Sequence, residues 1–183
     1  MIQKEIYIKE FLEGQIKQLQ SAEYSFWVLV MKTLVLGVGN PILRDDGVGI
    51  HVVRELKRHL HLKDVDFEEA GTSSIELVEI FKGYERVIII DAIMTKNGIP
   101  GRIYKLTPDD LPTLHGISPH NIDFRTAIEF GKHFIGKMPE RIDIYAVEVC
   151  NVTEFGEYLS SDVRRCIPTI IKKIKKDIEN GNR

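Results

Sequence analysis

The 183 residues fit one domain, long enough to bury about two thirds of the surface that the unfolded chain exposes. Their formal net charge is -2, from 25 basic and 27 acidic residues spread along the chain, which excludes the basic stripe of a nucleic-acid binder. No apolar run approaches the ~20 residues of a membrane span, and the two cysteines, Cys150 and Cys166, have no metal-type spacing, so a reduced cytoplasmic protein is expected.

Residues 1–30 stand apart. Ile2, Ile6, Leu12, Ile16 and Leu19 recur at close to helical spacing. Acids and bases are mixed and no small-residue cleavage site follows an apolar core, so this is not a signal peptide. Two readings fit: an amphipathic helix that docks on the domain or a partner, or residues upstream of a true start at Met31. Met31 abuts the first strand, which favours the second. The domain is therefore expected over residues 31–183.

From there strand and helix patterns alternate. Residues 33–38 form a compact apolar run and predict a buried strand. Val48, Val52, Val53, Leu56 and Leu60 make a helical stripe over 47–60, and a short strand follows at 64–69. "TSSIELVEIF" opens a second helix, with Ser73 and Glu76 as a capping box. "RVIIID", residues 86–91, is the most apolar strand and should be central. Asn97-Gly98 predicts a turn before a strand at 101–106. A Pro-rich loop from Pro108 to Pro119 leads to a helix at 121–134, a strand at 141–149 and a last helix at about 160–179. Pro168 should kink or divide that helix. The lysines of "KKIKK", Lys172–Lys176, read as its solvated face. The sum is a single α/β domain with a twisted, mostly parallel five-stranded sheet and helices on both faces. In such sheets ligands gather beyond the carboxyl ends of the strands.

Three groups there could carry chemistry. Asp45 and Asp46 follow the first strand, where an Asp commonly forms a turn or caps a helix. Asp91 ends the central strand, where a desolvated carboxylate is costly without a cation, a metal or several donors. His120, in "SPHN", precedes a helix start that Ser118 or Asn121 could cap. Two carboxylates and an imidazole suit a divalent transition metal with open positions. The other histidines, His51, His59, His61, His115 and His133, carry no such signal. Gly37-Val38-Gly39 begins like a dinucleotide fingerprint, but Ile42 stands where the third glycine belongs. No phosphate-binding P-loop, serine nucleophile elbow or zincin motif occurs.

Four segments in order, "LVLGVGNPILRDDGVG", "EEAGTSSIELVE", "VIIIDAI" and "ISPHN", make the chain from Met31 to the last helix resemble the maturation endopeptidases of nickel–iron hydrogenases. Residues 1–30 have no counterpart in that resemblance. It implies an endopeptidase that removes a C-terminal peptide from the precursor of the hydrogenase large subunit once nickel has been inserted. It implies metal contacts by Asp46, Asp91 and His120, with the nickel carried by the substrate rather than held as a cofactor. Asp45 is then left to the turn and the helix start. Asn40 and Gly71-Thr72-Ser73 would lie at the substrate-binding edge, although Glu69 and Ala70 stand where Asp and Gly are more usual. A monomer is expected. A nickel-dependent chaperone that binds the precursor without cutting it is the alternative. His120 must be neutral to ligate, so cleavage should weaken as pH falls through the ordinary imidazole range, near ~6.5.

Overall fold

The computed structural model describes residues 32–71, 77, 79–113, 116–117, 131 and 138–181. The extension 1–30, the capping box at Ser73 and Glu76, and the helix expected at 121–134 (residue 131 apart, which is helical) lie outside the described residues. The described residues belong to one compact unit, Lys32–Arg183.

The strands are β1 (Thr33–Val38), β2 (Val65–Ala70), β3 (Arg86–Thr95), β4 (Ile103–Leu106), β5 (Gly116–Ile117) and β6 (Arg141–Glu148). The sheet runs β2-β1-β3-β6-β4. β1 pairs in parallel with β2 and β3, β3 in parallel with β6, and β4 antiparallel to β6. The expected five-stranded, mostly parallel sheet is present. The two-residue β5 adds a sixth strand, antiparallel to Met94 and Thr95 at the end of β3.

β3 is central and apolar because both of its faces are covered. Ile88, Ile90 and Ala92 face one core cluster, together with Val48, Val52, Val53 and Leu56 of helix α1 (Val48–His59). Helix α2 (Ser161–Gly181) adds Val163, Cys166, Ile170, Ile174 and Ile178 to the same cluster. Val87 and Ile89 face the other cluster, with Leu34, Leu36, Leu77 and Phe81. Residues 77 and 79–80 are helical, so helical backbone lies on this face too.

Pro168 does not divide α2, which continues through it. A mid-helix proline costs about 3 kcal/mol. The buried stripe extends on both sides of Pro168, and each large apolar side chain contributes roughly 1.5–3 kcal/mol on burial, so docking on the sheet outweighs the lost hydrogen bond. The lysines at 172, 173, 175 and 176 face outward, as expected.

The topology positions the site. From β1 the chain crosses through α1 to β2 at one edge, then returns past β1 to β3. The direction reverses between β1 and β3, and in sheets of this kind ligands bind at such a switch point, beyond the carboxyl ends of the strands. Gly49, in the first turn of α1, sits against both strands: a Cβ on it would lie 2.3 Å from the Ile90 carbonyl oxygen and 2.4 Å from that of Val38. Both obstacles are backbone. Gly49→Ala should therefore lift the helix start off the sheet and destabilise the fold by roughly 1–3 kcal/mol or more, read as a lower midpoint in urea with an unchanged slope.

Candidate active site at the carboxyl edge of the sheet

After β1 the chain closes a turn in which the Leu43 N–H donates to the Asn40 carbonyl (3.1 Å) and the Ile42 N–H to Asn40 Oδ1 (3.2 Å). A 3-10 turn, Arg44–Gly47, leads into α1. Asp45 and Asp46 sit in this turn, 0% and 1% exposed, and turn to different partners.

Asp45 does not cap its own helix. The residue preceding α1 is Gly47, and no side chain caps that end. Asp45 Oδ1 instead accepts the Ser160 N–H at 2.6 Å, just before α2, and Oδ2 lies 3.7 Å from Cys150 Sγ. The Asp45 N–H donates to the Asn151 carbonyl. The carboxylate thus ties the β1 turn to the segment joining β6 and α2, a role set by tertiary structure rather than by the local turn. Asp45→Ala would leave the Ser160 N–H and the Cys150 thiol without their partner, at a cost of about 1–3 kcal/mol. A thermal melt should show that loss.

Asp46 accepts the Asn40 N–H on Oδ2 at 2.9 Å. Asn40, expected at the substrate-binding edge, thereby orients the acid that the resemblance picked as a ligand. The turn packs against β3. Asp91, 4% exposed, lies on β3 just past Ile90, whose partner Gly37 ends the β1–β3 ladder, while β6 still pairs with it through Ala146. Asp91 Oδ1 accepts the Ala92 N–H at 2.8 Å. Asp46 and Asp91 therefore belong to neighbouring elements on either side of the switch point. Both are deeply buried, where a carboxylate is costly without compensating charge or donors.

His120, Thr72 and Ser73 lie outside the described residues. Just before His120, β5 returns the chain to β3 beyond Asp91. Among the described residues no group of three His, Cys, Asp or Glu forms a metal site.

A cleft of about 310 Å³ adjoins the β1 turn, lined by Gly39, Asn40, Pro41, Ile50, Ala70 and Gly71. Glu69 also borders it but is engaged by Arg54, which donates to both carboxylate oxygens at 2.9 and 2.8 Å. A larger concavity of about 590 Å³, near Lys57, His61, Lys63 and Phe67, lies at the amino end of β2, the opposite end of the sheet from both aspartates.

Neither thiol is poised as a nucleophile. Burial and the neighbouring Asp45 push Cys150 up, and burial pushes Cys166 up to about 11; the thiolate is the reactive form. Sequence reasoning missed Glu148. It is buried at the end of β6 and accepts the Thr95 N–H (2.6 Å) and the Thr95 hydroxyl (3.0 Å), fixing the end of β3 on which β5 is mounted. The signal was available, since an acid closing the apolar run "IYAVE" repeats the pattern that marks Asp91.

Comparisons with known proteins bear on the family and the fold. The family profile described as "Hydrogenase maturation protease" (HycI) matches residues 50–177, more than half of the chain; the match includes Asp91 and His120 and begins just after Asp46. The chain is 32% identical over 120 residues to the hydrogenase 2 maturation protease of Escherichia coli K12, covering 64% of this chain and 73% of that protein. It is 30% identical to the hydrogenase expression/formation protein HupD of Rhizobium leguminosarum over 146 residues, 77% of this chain and 71% of the relative. The solved structure of the hydrogenase maturating endopeptidase HybD from E. coli superposes with a TM-score of 0.72 at 27% identity, covering 82% of this chain and 94% of that one. With its sheet, the family profile that it matches and these relatives, the chain is a member of the hydrogenase maturation protease family.

Proposed function

We propose that this protein is the endopeptidase that removes the C-terminal peptide from the nickel-loaded precursor of a nickel–iron hydrogenase large subunit. One observation carries the reading: in a member of this protease family, two deeply buried carboxylates, Asp46 and Asp91, flank the switch point between β1 and β3. The substrate brings the nickel. Carboxylate oxygens, joined by the His120 imidazole, make a donor set of moderate affinity with no thiolate, suited to vacant positions on an ion already held elsewhere. Asp46 is pre-oriented by the Asn40 N–H and Asp91 by the Ala92 N–H, so little reorganisation accompanies binding. The cleft at Asn40, Ala70 and Gly71 takes the extended tail, with Thr72 and Ser73 next along the chain.

The attacking group is water. Its proton passes to a carboxylate acting as general base, the peptide C–N bond breaks, and the new amine takes up a proton. Without nickel the three groups have nothing to clamp, so the unloaded precursor is rejected through lost affinity. The protein acts as a monomer in the cytoplasm.

Mass spectrometry of a cognate precursor incubated with this protein, with and without nickel loading, tests the proposal. The expected result is loss of a C-terminal peptide from the loaded precursor alone. Nickel-dependent binding with no change in mass would replace the protease with a chaperone.

A further inference from the structure

The turn that carries Asp46 is fastened to the segment between β6 and α2. The Gly156 N–H donates to the Ile42 carbonyl (2.9 Å), and the Arg44 N–H donates to the Gly156 carbonyl (2.8 Å), making a parallel bridge between Leu43 and Gly156. Arg44 pairs with Glu154 and lays its guanidinium over the Tyr158 ring, 4.8 Å from the centroid. Asp45 holds the Ser160 N–H. Gly156 is enclosed: a Cβ there would lie 2.9 Å from the Tyr158 ring and 3.3 Å from Arg44 Cγ. Arg44 keeps a left-handed backbone, φ 49, to make this junction, a strain that persists only where the surroundings over-determine it.

This well-fastened junction nonetheless exposes three large apolar side chains: Phe155 at 81%, Tyr158 at 57% and Ile42 at 48%. Phe155 flanks Gly156 as Ile42 flanks Leu43, so the two stand side by side across the bridge. Many side-chain and backbone ties hold the loop, so the exposure of Phe155 does not reflect a loop that fails to pack. Single exposed apolar residues are ordinary, but a contiguous group on one rigid junction marks an interaction site.

We infer that the Ile42–Phe155–Tyr158 ridge, with Arg44 beneath it, is the docking surface for the folded body of the precursor, distinct from the cleft that takes its tail. The inference rests on the function proposed above. Continuity selects the occupant: the ridge and Asp46 belong to one turn, so a protein that presents nickel to Asp46 is brought against Ile42 and Phe155. The residue types agree, since aromatic side chains and arginine dominate the energetics of protein interfaces. The partner surface is correspondingly apolar and lies next to the nickel-bearing end of the substrate.

The test is the double variant Ile42→Ser/Phe155→Ser, assayed for binding to the nickel-loaded precursor and for single-turnover cleavage. Both positions are exposed, and an unchanged melting temperature verifies the fold. The expected result is a dissociation constant raised about tenfold or more, with the cleavage rate at saturating precursor within about twofold of the parent. Unchanged affinity while the parent cleaves normally would overturn the docking surface and leave the protease intact. An equal loss of rate at saturation would also overturn it, placing the loop in the chemistry instead. If the parent binds through the ridge but never cleaves, the protease reading fails and the docking surface stands. If sedimentation shows that the ridge joins two copies of this chain and precursor affinity ignores the variant, the proposal is overturned.

Discussion

Asp91→Asn is expected to lower cleavage of the nickel-loaded precursor by at least about 100-fold, the scale of losing a group that supplies charge or takes a proton in the transition state. The substitution keeps the shape of the side chain, and its amide oxygen can still accept the Ala92 N–H that Asp91 Oδ1 accepts now. It removes the charge and turns the second carboxylate oxygen from an acceptor into an NH2 donor. A structural carboxylate would give the opposite pattern: a lower melting temperature and an intact rate. Asp46→Asn should act in the same direction on cleavage. Normal cleavage by either variant would sink the ligand assignment.

Arg86→Ala should have the largest effect on stability. Arg86 is buried at the amino end of β3, far along the strand from Asp91. It donates to Asp143 Oδ2 through Nε (3.0 Å) and Nη2 (2.7 Å), and to the Asp177 carbonyl of α2 through Nη1 (3.0 Å). Removing one partner of a buried ion pair costs about 3–5 kcal/mol; Arg141, which still pairs with Asp143 at 2.9 Å, keeps the loss toward the lower end. For a unit of this size that lowers the melting temperature by roughly 10 °C. An apolar replacement of both partners, Arg86→Met with Asp143→Leu, should recover most of the loss. Cleavage by the protein that remains folded should be unaffected.

The same network sets an acid limit. Burial pushes the Asp143 carboxyl up, but the Arg141 and Arg86 hydrogen bonds outweigh it and hold the group below its ordinary value of 3.8. Asp177 is likewise pushed up by burial and held lower, on balance, by Lys105 and Tyr145. A depressed carboxylate adds stability that is fully present above its unfolded value and is lost as pH falls through its folded one. Stability should therefore decline below about pH 4, and less steeply in Arg86→Ala. Urea midpoints measured across that range would show it.

Much of this protein was legible in one dimension. The alternation of buried strand and amphipathic helix gave the parallel sheet, because apolar residues at period two and at period 3.6 have only one way each to reach a core. "RVIIID" announced both the central strand and Asp91, since a charge that ends a doubly covered strand must emerge at the sheet's edge. The four segments pointed to the family.

Tertiary structure decided what spacing does not encode. The division of labour between Asp45 and Asp46 depends on Ser160 and Asn40, one of them distant in sequence, so a local capping rule misassigned Asp45. The proline rule, which expects Pro168 to kink or divide the helix, prices one helix alone, whereas α2 continues through Pro168 with its buried stripe against the sheet on both sides. Glu148 went unread because its partner, Thr95, meets it only through the β3–β6 register. The Phe155 ridge is invisible in sequence for the same reason: exposure belongs to the folded surface, and an aromatic residue in a chain looks the same whether the core or the solvent receives it.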